Sequence, residues 1–328
     1  MSRYEHSALA MLSGIRNLFG RAEPIGDLRD TMRLDGGTAL VTGASSGVGF
    51  AAAVELARRG LHVVGVARTA TPDVTSALRA AAGVDSIEML PVDFADLDLV
   101  DALLDTLEAR GLRFDLVVFN AAIVPVGDRR TPQGLEQMFV VNFLAQQALA
   151  DGLHRRGLIA PSPSAESAGR GPRLVVVSSE THRNAQQRPF ESFDEYQGFG
   201  RREVLARYGM YKLALTTLAY ELSRRLEPEG IAVHVLCPGA VNTRIARDAP
   251  RWMRPLLKIV FRLIFQSPAK AVGPLVYLAL APELEGETGI YLHQWVRKDP
   301  DLRAVEPELG DRQWRAAAAV LERAREQR

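Results

Sequence analysis

From Thr38 onward, short runs of apolar and β-branched residues alternate with helix-length stretches whose apolar positions recur three and four residues apart. That alternation predicts parallel strands joined by helical crossovers. Strands are expected at Thr38–Gly43, Leu61–Ala67, Ser86–Val92, Phe114–Asn120, Arg173–Ser179, Ile231–Cys237 and Thr288–His293. They read as near-continuous apolar runs, as strands buried on both faces do. Helices are expected over about 47–59, 72–82, 97–110, 132–156, 203–227 and 268–281. The pattern is α/β: one doubly wound parallel sheet of about seven strands with helices on both faces.

Four segments stand outside this rhythm and divide the chain. Residues 1–36 form an N-terminal extension with a short amphipathic stretch, Ala8–Phe19, ahead of a single main domain over 37–298. Within that domain, Ala160–Pro172 is rich in Pro, Ser, Gly and Ala and predicts a loop. Arg244–Gln266 is an apolar excursion studded with cations, and 299–328 is a charged tail ending in a helix candidate, Arg312–Glu326.

Composition narrows the function classes. Among 328 residues, 40 Lys and Arg balance 39 Asp and Glu, leaving a net charge of +1. Nucleic-acid-binding domains carry a basic excess, so none is expected as a partner. One cysteine and six histidines offer neither a disulfide framework nor a Cys/His metal cluster, so no metal is expected. No apolar run reaches the roughly 18 residues of a membrane span. The N-terminus shows no apolar core followed by a small-residue cleavage site, so a cytoplasmic setting is expected. Only four residues are lysines, Lys212, Lys258, Lys270 and Lys298. A lysine at a chemically meaningful spacing is therefore informative.

The first strand runs into Thr42-Gly43-Ala44-Ser45-Ser46-Gly47-Val48-Gly49, and a helix follows at once. Glycines in such a turn let the backbone N–H groups close on a pyrophosphate at the positive helix end, which makes Gly43, Ser45, Ser46, Gly47, Val48 and Gly49 candidate binding residues. At the end of the second strand, where an acidic residue would bind an adenosine ribose, this chain has Arg68. A guanidinium there suits a 2′-phosphate, so the cofactor expected is NADP(H). An arginine simply solvated at a strand end is the alternative. Of seven tyrosines, only Tyr208 has a lysine four residues later, Lys212. On a helix the two share a face one turn apart, and the nearby ammonium favours the phenolate and lowers the tyrosine pKa toward the working range of an acid or base.

The GxxxGxG spacing, with Ser178-Ser179 closing a strand and Tyr208-x-x-x-Lys212 following, closely resembles the short-chain dehydrogenase/reductase family over about Gly37–His293. The resemblance implies a Rossmann-type fold and hydride transfer between a nicotinamide and a carbonyl or alcohol carbon. It casts Ser179, rather than its competitor Ser178, as the group polarising the oxygen, Tyr208 as the proton carrier and Lys212 as its partner on the nicotinamide ribose. It implies that Asn142 in Val140-Val141-Asn142-Phe143 supports a water relay to the lysine, with a structural bond as the alternative. It also implies contacts of Asp93 and Phe94 with adenine, of Asn120 and Ala121 with the cofactor, and of Pro238, Gly239, Val241 and Thr243 with its nicotinamide end. Cys237 reads as core filler. Two departures stand out: Ala122 where the family has glycine, and Tyr211 where a small residue usually precedes the lysine. The second puts the shape of the pocket near the nicotinamide in question. The stretch Leu278–Gly289, with Tyr291, resembles the retinol-dehydrogenase-like branch. So does the 29-residue interval from Ser179 to Tyr208, with its Pro189-Phe190 element.

Between Trp252 and Gln266, Arg254, Lys258 and Arg262 recur every four residues among apolar neighbours. The stripe reads either as a lid over the site or as a peripheral membrane contact at a bilayer surface. Both readings point to an apolar aldehyde, ketone or alcohol as substrate. The family's frequent dimers make a homodimer an expectation. Reduction of a C=C bond on the same fold, as in protochlorophyllide reductases, and a non-catalytic NADP(H) sensor are the rival readings.

Overall fold

The expected apolar runs form strands β1 (Thr38–Thr42), β2 (His62–Ala67), β3 (Ile87–Pro91), β4 (Leu116–Phe119), β5 (Arg173–Val177), β6 (Ala232–Cys237) and β7 (Tyr291–His293). This computed structural model describes residues 24–125, 127–160, 170–185, 198–200, 202–239 and 267–326. The stretch Ala8–Phe19, most of the Ala160–Pro172 loop, Pro189-Phe190, the 252–266 stripe, Val241 and Thr243 lie outside the described residues. An eighth strand, β8 (Val296–Arg297), turns back antiparallel on β7. Two residues are too few to leave a period in the sequence, so the count of about seven missed it. The sheet order is β3-β2-β1-β4-β5-β6-β7-β8, and every pairing before the last is parallel.

Successive strand residues point to opposite faces and fill two separate cores. Leu40, Val64, Val117, Leu174 and Val176 enter one layer. Ala39, Val41, Val63, Val118 and Val175 enter the other. Helices α1 (Gly47–Arg58), α2 (Pro72–Ala82) and α6 (Gly273–Leu280) cover the second layer. Helices α3 (Leu97–Ala109), α4 (Ala145–Arg155) and α5 (Val204–Leu226) cover the first.

Two helices depart from the expected spans for visible reasons. The span expected from 132 begins at Gln137, because Glu136 is the cap: its two carboxylate oxygens accept the Met138 and Phe139 amides at 2.8 and 2.7 Å. After the turn Gln137–Phe139 the chain widens into a π turn, Val140–Leu144, before α4. The span expected over 268–281 splits into Pro268–Ala271 and α6, with Pro274 in the first turn of α6, where its missing N–H costs nothing.

The charged tail is part of the packed structure. Helix α7 (Pro307–Glu326) starts five residues earlier than Arg312, buries Leu309, and places Ala317, Val320, Leu321 and Ala324 in the first layer. Gln313 Nε2 donates to the Ala214 carbonyl of α5 at 2.8 Å, and Trp314 lies 4.5 Å under the Arg225 guanidinium. Among the described residues, no helix is long and apolar enough to cross a membrane.

Candidate active site

All strands from β1 to β7 are parallel, so the segments leaving β1, β2, β4, β5 and β6 emerge at one edge of the sheet. The chain order reverses between β1 and β4, and ligands of open α/β sheets bind outside the carboxyl ends at such a reversal. Gly43 and Gly47 turn the chain with φ of +71° and +62°, a conformation that L side chains rarely adopt. Gly49 is dictated by proximity instead. A Cβ there would stand 2.3 Å from the Gly43 carbonyl oxygen and 2.5 Å from Asn120 Nδ2. Thr42 Oγ1 accepts the Asn120 and Ala121 amides at 2.9 and 3.0 Å, and Asn120 Nδ2 donates to the Thr42 carbonyl at 2.9 Å. Asn120 and Ala121 thus brace the turn from the neighbouring strand.

Ser45, Ser46 and Gly47 are half-buried, while Val48 and Gly49 are buried beneath them. The Ser46 side chain does not cap α1, and no acidic residue stands in its first turn. The amides of that turn and the positive helix end suit a pyrophosphate. Arg68 stands exposed at the end of β2 with no partner among the described residues. Asp93 Oδ1 accepts the Ala95 amide at 3.0 Å, and the Phe94 ring is in the core.

The segment after β5 and helix α5 bring Ser179, Tyr208 and Lys212 together. Because β5 ends at Val177, the two following serines do not simply alternate across the sheet. Ser178 is buried and its Oγ lies 2.6 Å from Thr216 Oγ1 on α5. Ser179 is half-buried, and its hydroxyl is hydrogen bonded to that of Tyr208. Gly209 lets α5 approach this turn; a Cβ there would meet the Thr181 carbonyl oxygen at 2.7 Å.

Lys212 behaves differently from the expectation. Its Nζ lies 5.8 Å from the Tyr208 ring centre and donates to the Val177 carbonyl at 2.8 Å. Burial holds Tyr208 above the usual phenol pKa, negative charge on Cys237 would reinforce that shift, and the Ser179 hydrogen bond opposes it. The expected lowering by Lys212 is therefore not what the geometry gives. Desolvation of the phenol wins, because Lys212, itself pushed down to about 8 by burial, has lost its charge before the phenol would ionise.

Burial also pushes Lys212 itself down to about 8. Between about pH 8 and its ordinary value of 10.5, the unfolded chain holds a proton here that the folded chain does not, so stability rises with pH across that window. Below it, the cost of the buried ammonium is of the same order as the charged hydrogen bond it makes to the Val177 carbonyl, about 1.5–3 kcal/mol. Lys212→Met removes the titrating group and is therefore expected to flatten the rise of the melting temperature of the nucleotide-free protein between about pH 8 and 10.5. Thermal denaturation of both proteins over a pH series checks this, and an equal rise in the variant would refute it.

Asn142 sits fully buried in the π turn. Its Oδ1 accepts the Ile123 amide at 2.7 Å and its Nδ2 donates to the Ile123 carbonyl at 2.9 Å, tying the segment after β4 to the helix. π turns recur at functional sites because they redirect a side chain that an α turn would misplace. Tyr211 packs its ring 5.6 Å from Phe139 and shares hydrogen bonds with Glu136 and Arg207, which places it in the core. Buried Cys237 accepts the Glu180 amide at 3.2 Å, and burial pushes its thiol up to about 11. Pro238 is buried, and Gly239, with φ of +76°, lies so near Gln294 that a Cβ would meet Nε2 at 2.3 Å.

Sequence reasoning missed Thr216, His182, Glu180 and Gln294. Thr216 had a signal, since it falls four residues after Lys212 on the same helix face. The others had none, because the partners that give them their place, Asp301 for His182, Tyr291 and Cys237 for Glu180 and Cys237 for Gln294, come from segments more than fifty residues away.

A sequence model of the short chain dehydrogenase family matches residues 37–186. The chain is 34% identical to polyprenol dehydrogenase of Mus musculus over 284 residues, covering 85% of this chain and 82% of that protein. It is 30% identical to human (Homo sapiens) retinol dehydrogenase 14 over 298 residues, covering 86% and 85%. Among solved structures, the Pseudomonas aeruginosa RhlG/NADP active-site complex superposes with a TM-score of 0.59 at 24% identity, covering 81% of this chain and 98% of that one.

Proposed function

Because this chain belongs to the short chain dehydrogenase family, in its retinol-dehydrogenase-like branch, we propose that it is an NADP(H)-dependent oxidoreductase interconverting a long apolar alcohol and its carbonyl compound. The observation that carries the reading is the meeting of Ser179, Tyr208 and Lys212 at the sheet edge that also bears the glycine turn. When bound, the nicotinamide supplies or accepts the hydride. Gly43, Ser45, Ser46, Gly47 and Gly49 would hold the pyrophosphate, Asn120 and Ala121 brace that cradle, and Arg68, which has no partner among the described residues, would meet the 2′-phosphate. The relatives named for polyprenol and retinol support an isoprenoid or retinoid alcohol as the substrate class.

The protein's own groups manage the proton. Ser179 donates a hydrogen bond to the substrate oxygen, where negative charge develops as the carbonyl is reduced. Tyr208 keeps its proton because burial disfavours the phenolate, and it gives that proton to the oxygen as the alcohol forms. In the reverse direction the phenolate must form, and the Ser179 hydrogen bond is the contact that favours it, while Lys212 would hold the nicotinamide ribose. Asn142 fixes the segment after β4 that faces this group.

A panel of apolar aldehydes and ketones, with polyprenals and retinal among them, assayed with NADPH and NADH tests the reading. Turnover of at least one such substrate with a preference for NADPH is the expected result. Arg68→Ala should raise the KM for NADPH about tenfold or more while leaving that for NADH within about twofold, since only the former has the phosphate to lose. Equal rates with both cofactors in the unaltered protein would remove the role given to Arg68. Oxidation of NADPH with loss of a C=C bond in the product would replace the carbonyl chemistry.

A further inference from the structure

We propose that His182 is a positioning residue that grips the backbone of Ser179 and so holds the Ser179 hydroxyl against Tyr208; the proposal rests on the reading of Ser179 as the group that polarises the substrate oxygen. His182 is fully buried three residues after Ser179. Its Nδ1 lies 2.7 Å from the Ser179 carbonyl oxygen, which also accepts the His182 amide at 3.0 Å. Its Nε2 lies 3.1 Å from the amide of Asp301. A carbonyl can only accept and an amide N–H can only donate, so the partners fix the ring: Nδ1 carries the proton and Nε2 the lone pair. Burial, which holds His182 below the usual imidazole range, keeps the ring neutral near pH 7.

The grip is anchored outside the catalytic segment. Asp301 begins the turn Leu302–Val305, whose Ala304 is fully buried against the first core. Around it, Arg303 donates to the Ala185 carbonyl at 2.6 Å and Arg183 to the Asp299 carbonyl at 2.5 Å. On the sheet side, the Tyr291 ring lies 5.5 Å from the His182 ring and its hydroxyl donates to Glu180 at 2.6 Å. The turn that carries Ser179 is thus held by residues more than a hundred positions later. It leans on α5 where Gly209 leaves no room for a side chain, so a displacement of the turn changes the distance from Ser179 to Tyr208 directly. A misplacement of about 1 Å in such a pair is enough to cost one to two orders of magnitude in rate.

Three variants of the full-length protein test this with the best substrate from the carbonyl panel. His182→Phe fills the space without either hydrogen bond. It should lower kcat about tenfold or more while KM for substrate and the affinity for NADPH stay within about twofold. His182→Asn puts an amide where Nδ1 stands and should recover most of kcat. His182→Gln reaches toward Asp301 instead and should not. Equal kcat in the Asn and Gln variants, high or low, overturns the proposal, as does unchanged kcat in His182→Phe. Should His182→Phe fail to fold, the Asn and Gln comparison decides alone. Ser179→Ala, run alongside, keeps the two readings apart. Its full activity would remove the premise and the proposal with it, whereas an inactive Ser179→Ala beside a fully active His182→Phe overturns the positioning role only.

Discussion

Tyr208→Phe is expected to reduce kcat for carbonyl reduction by about a thousandfold or more, while NADPH affinity stays within about threefold. The substitution removes one hydroxyl and leaves the ring packed between Ser179 and Lys212. A positioned general acid contributes about a hundred- to ten-thousandfold, and no other hydroxyl in the described site is placed to take over. Ser179 is the nearest, but an alcohol is too weak an acid to deliver its proton, so it can polarise the oxygen without protonating it. Lys212 is spent on the Val177 carbonyl. Steady-state rates with a fluorescence titration of NADPH separate the two quantities. Turnover within about tenfold of the unaltered protein would refute the assignment of Tyr208 as proton carrier.

The second large effect is on the cradle. Gly49→Ala places a methyl group 2.3 Å from the Gly43 carbonyl oxygen and 2.5 Å from Asn120 Nδ2, and neither is the free end of a flexible chain. Asn120 is held by its bonds to Thr42 and Gly43. The Gly43 amide is held by the Val66 carbonyl at 2.7 Å. The turn must therefore open at the place where the pyrophosphate amides need to converge. The expected outcome is a loss of about a hundredfold or more in NADPH affinity and a destabilisation of about 1–3 kcal/mol from overpacking. Gly111→Ala is the control. Gly111 has φ of +64°, but nothing lies within 4 Å of its Cβ direction, so only backbone strain of about 1 kcal/mol is expected, with cofactor binding unchanged. Titration and thermal melting of the two variants check the contrast. Retained NADPH affinity in Gly49→Ala would mean that the cradle does not hold the phosphates.

These expectations draw unequally on the sequence. The sheet was legible because strands buried on both faces need unbroken apolar runs, and seven of those runs became seven strands. The glycine turn was legible because backbone conformation is imposed by local sterics, and Gly43 and Gly47 do take positive φ. The pairing of Tyr208 with Lys212 follows from the pitch of a helix alone. The net direction of the Tyr208 shift was not legible. It depends on how far each group is desolvated, and burial raises the phenol and lowers the ammonium. The helix expected from 132 likewise hid a π turn, because the widening serves Asn142 and its partner Ile123 nineteen positions earlier.

What the sequence determined by itself are the features set within a few residues: the alternation of strand and helix, the turn geometry of the glycines, and the helical neighbours Tyr208 and Lys212. What only the tertiary structure decided are the features that need two distant segments to meet. Ser179 rather than Ser178 faces Tyr208 because β5 ends at Val177 and α5 crosses behind it. Tyr211 sits in the core because Phe139 and Glu136 are there to receive it. The tail after Asp299, which reads as a charged appendage, covers α5 with α7 and reaches His182 beneath Ser179. Local spacing reports the short-range preferences of the backbone. Burial, hydrogen-bond partners and proton affinity are properties of the packed neighbourhood, and that neighbourhood exists only once the chain has folded.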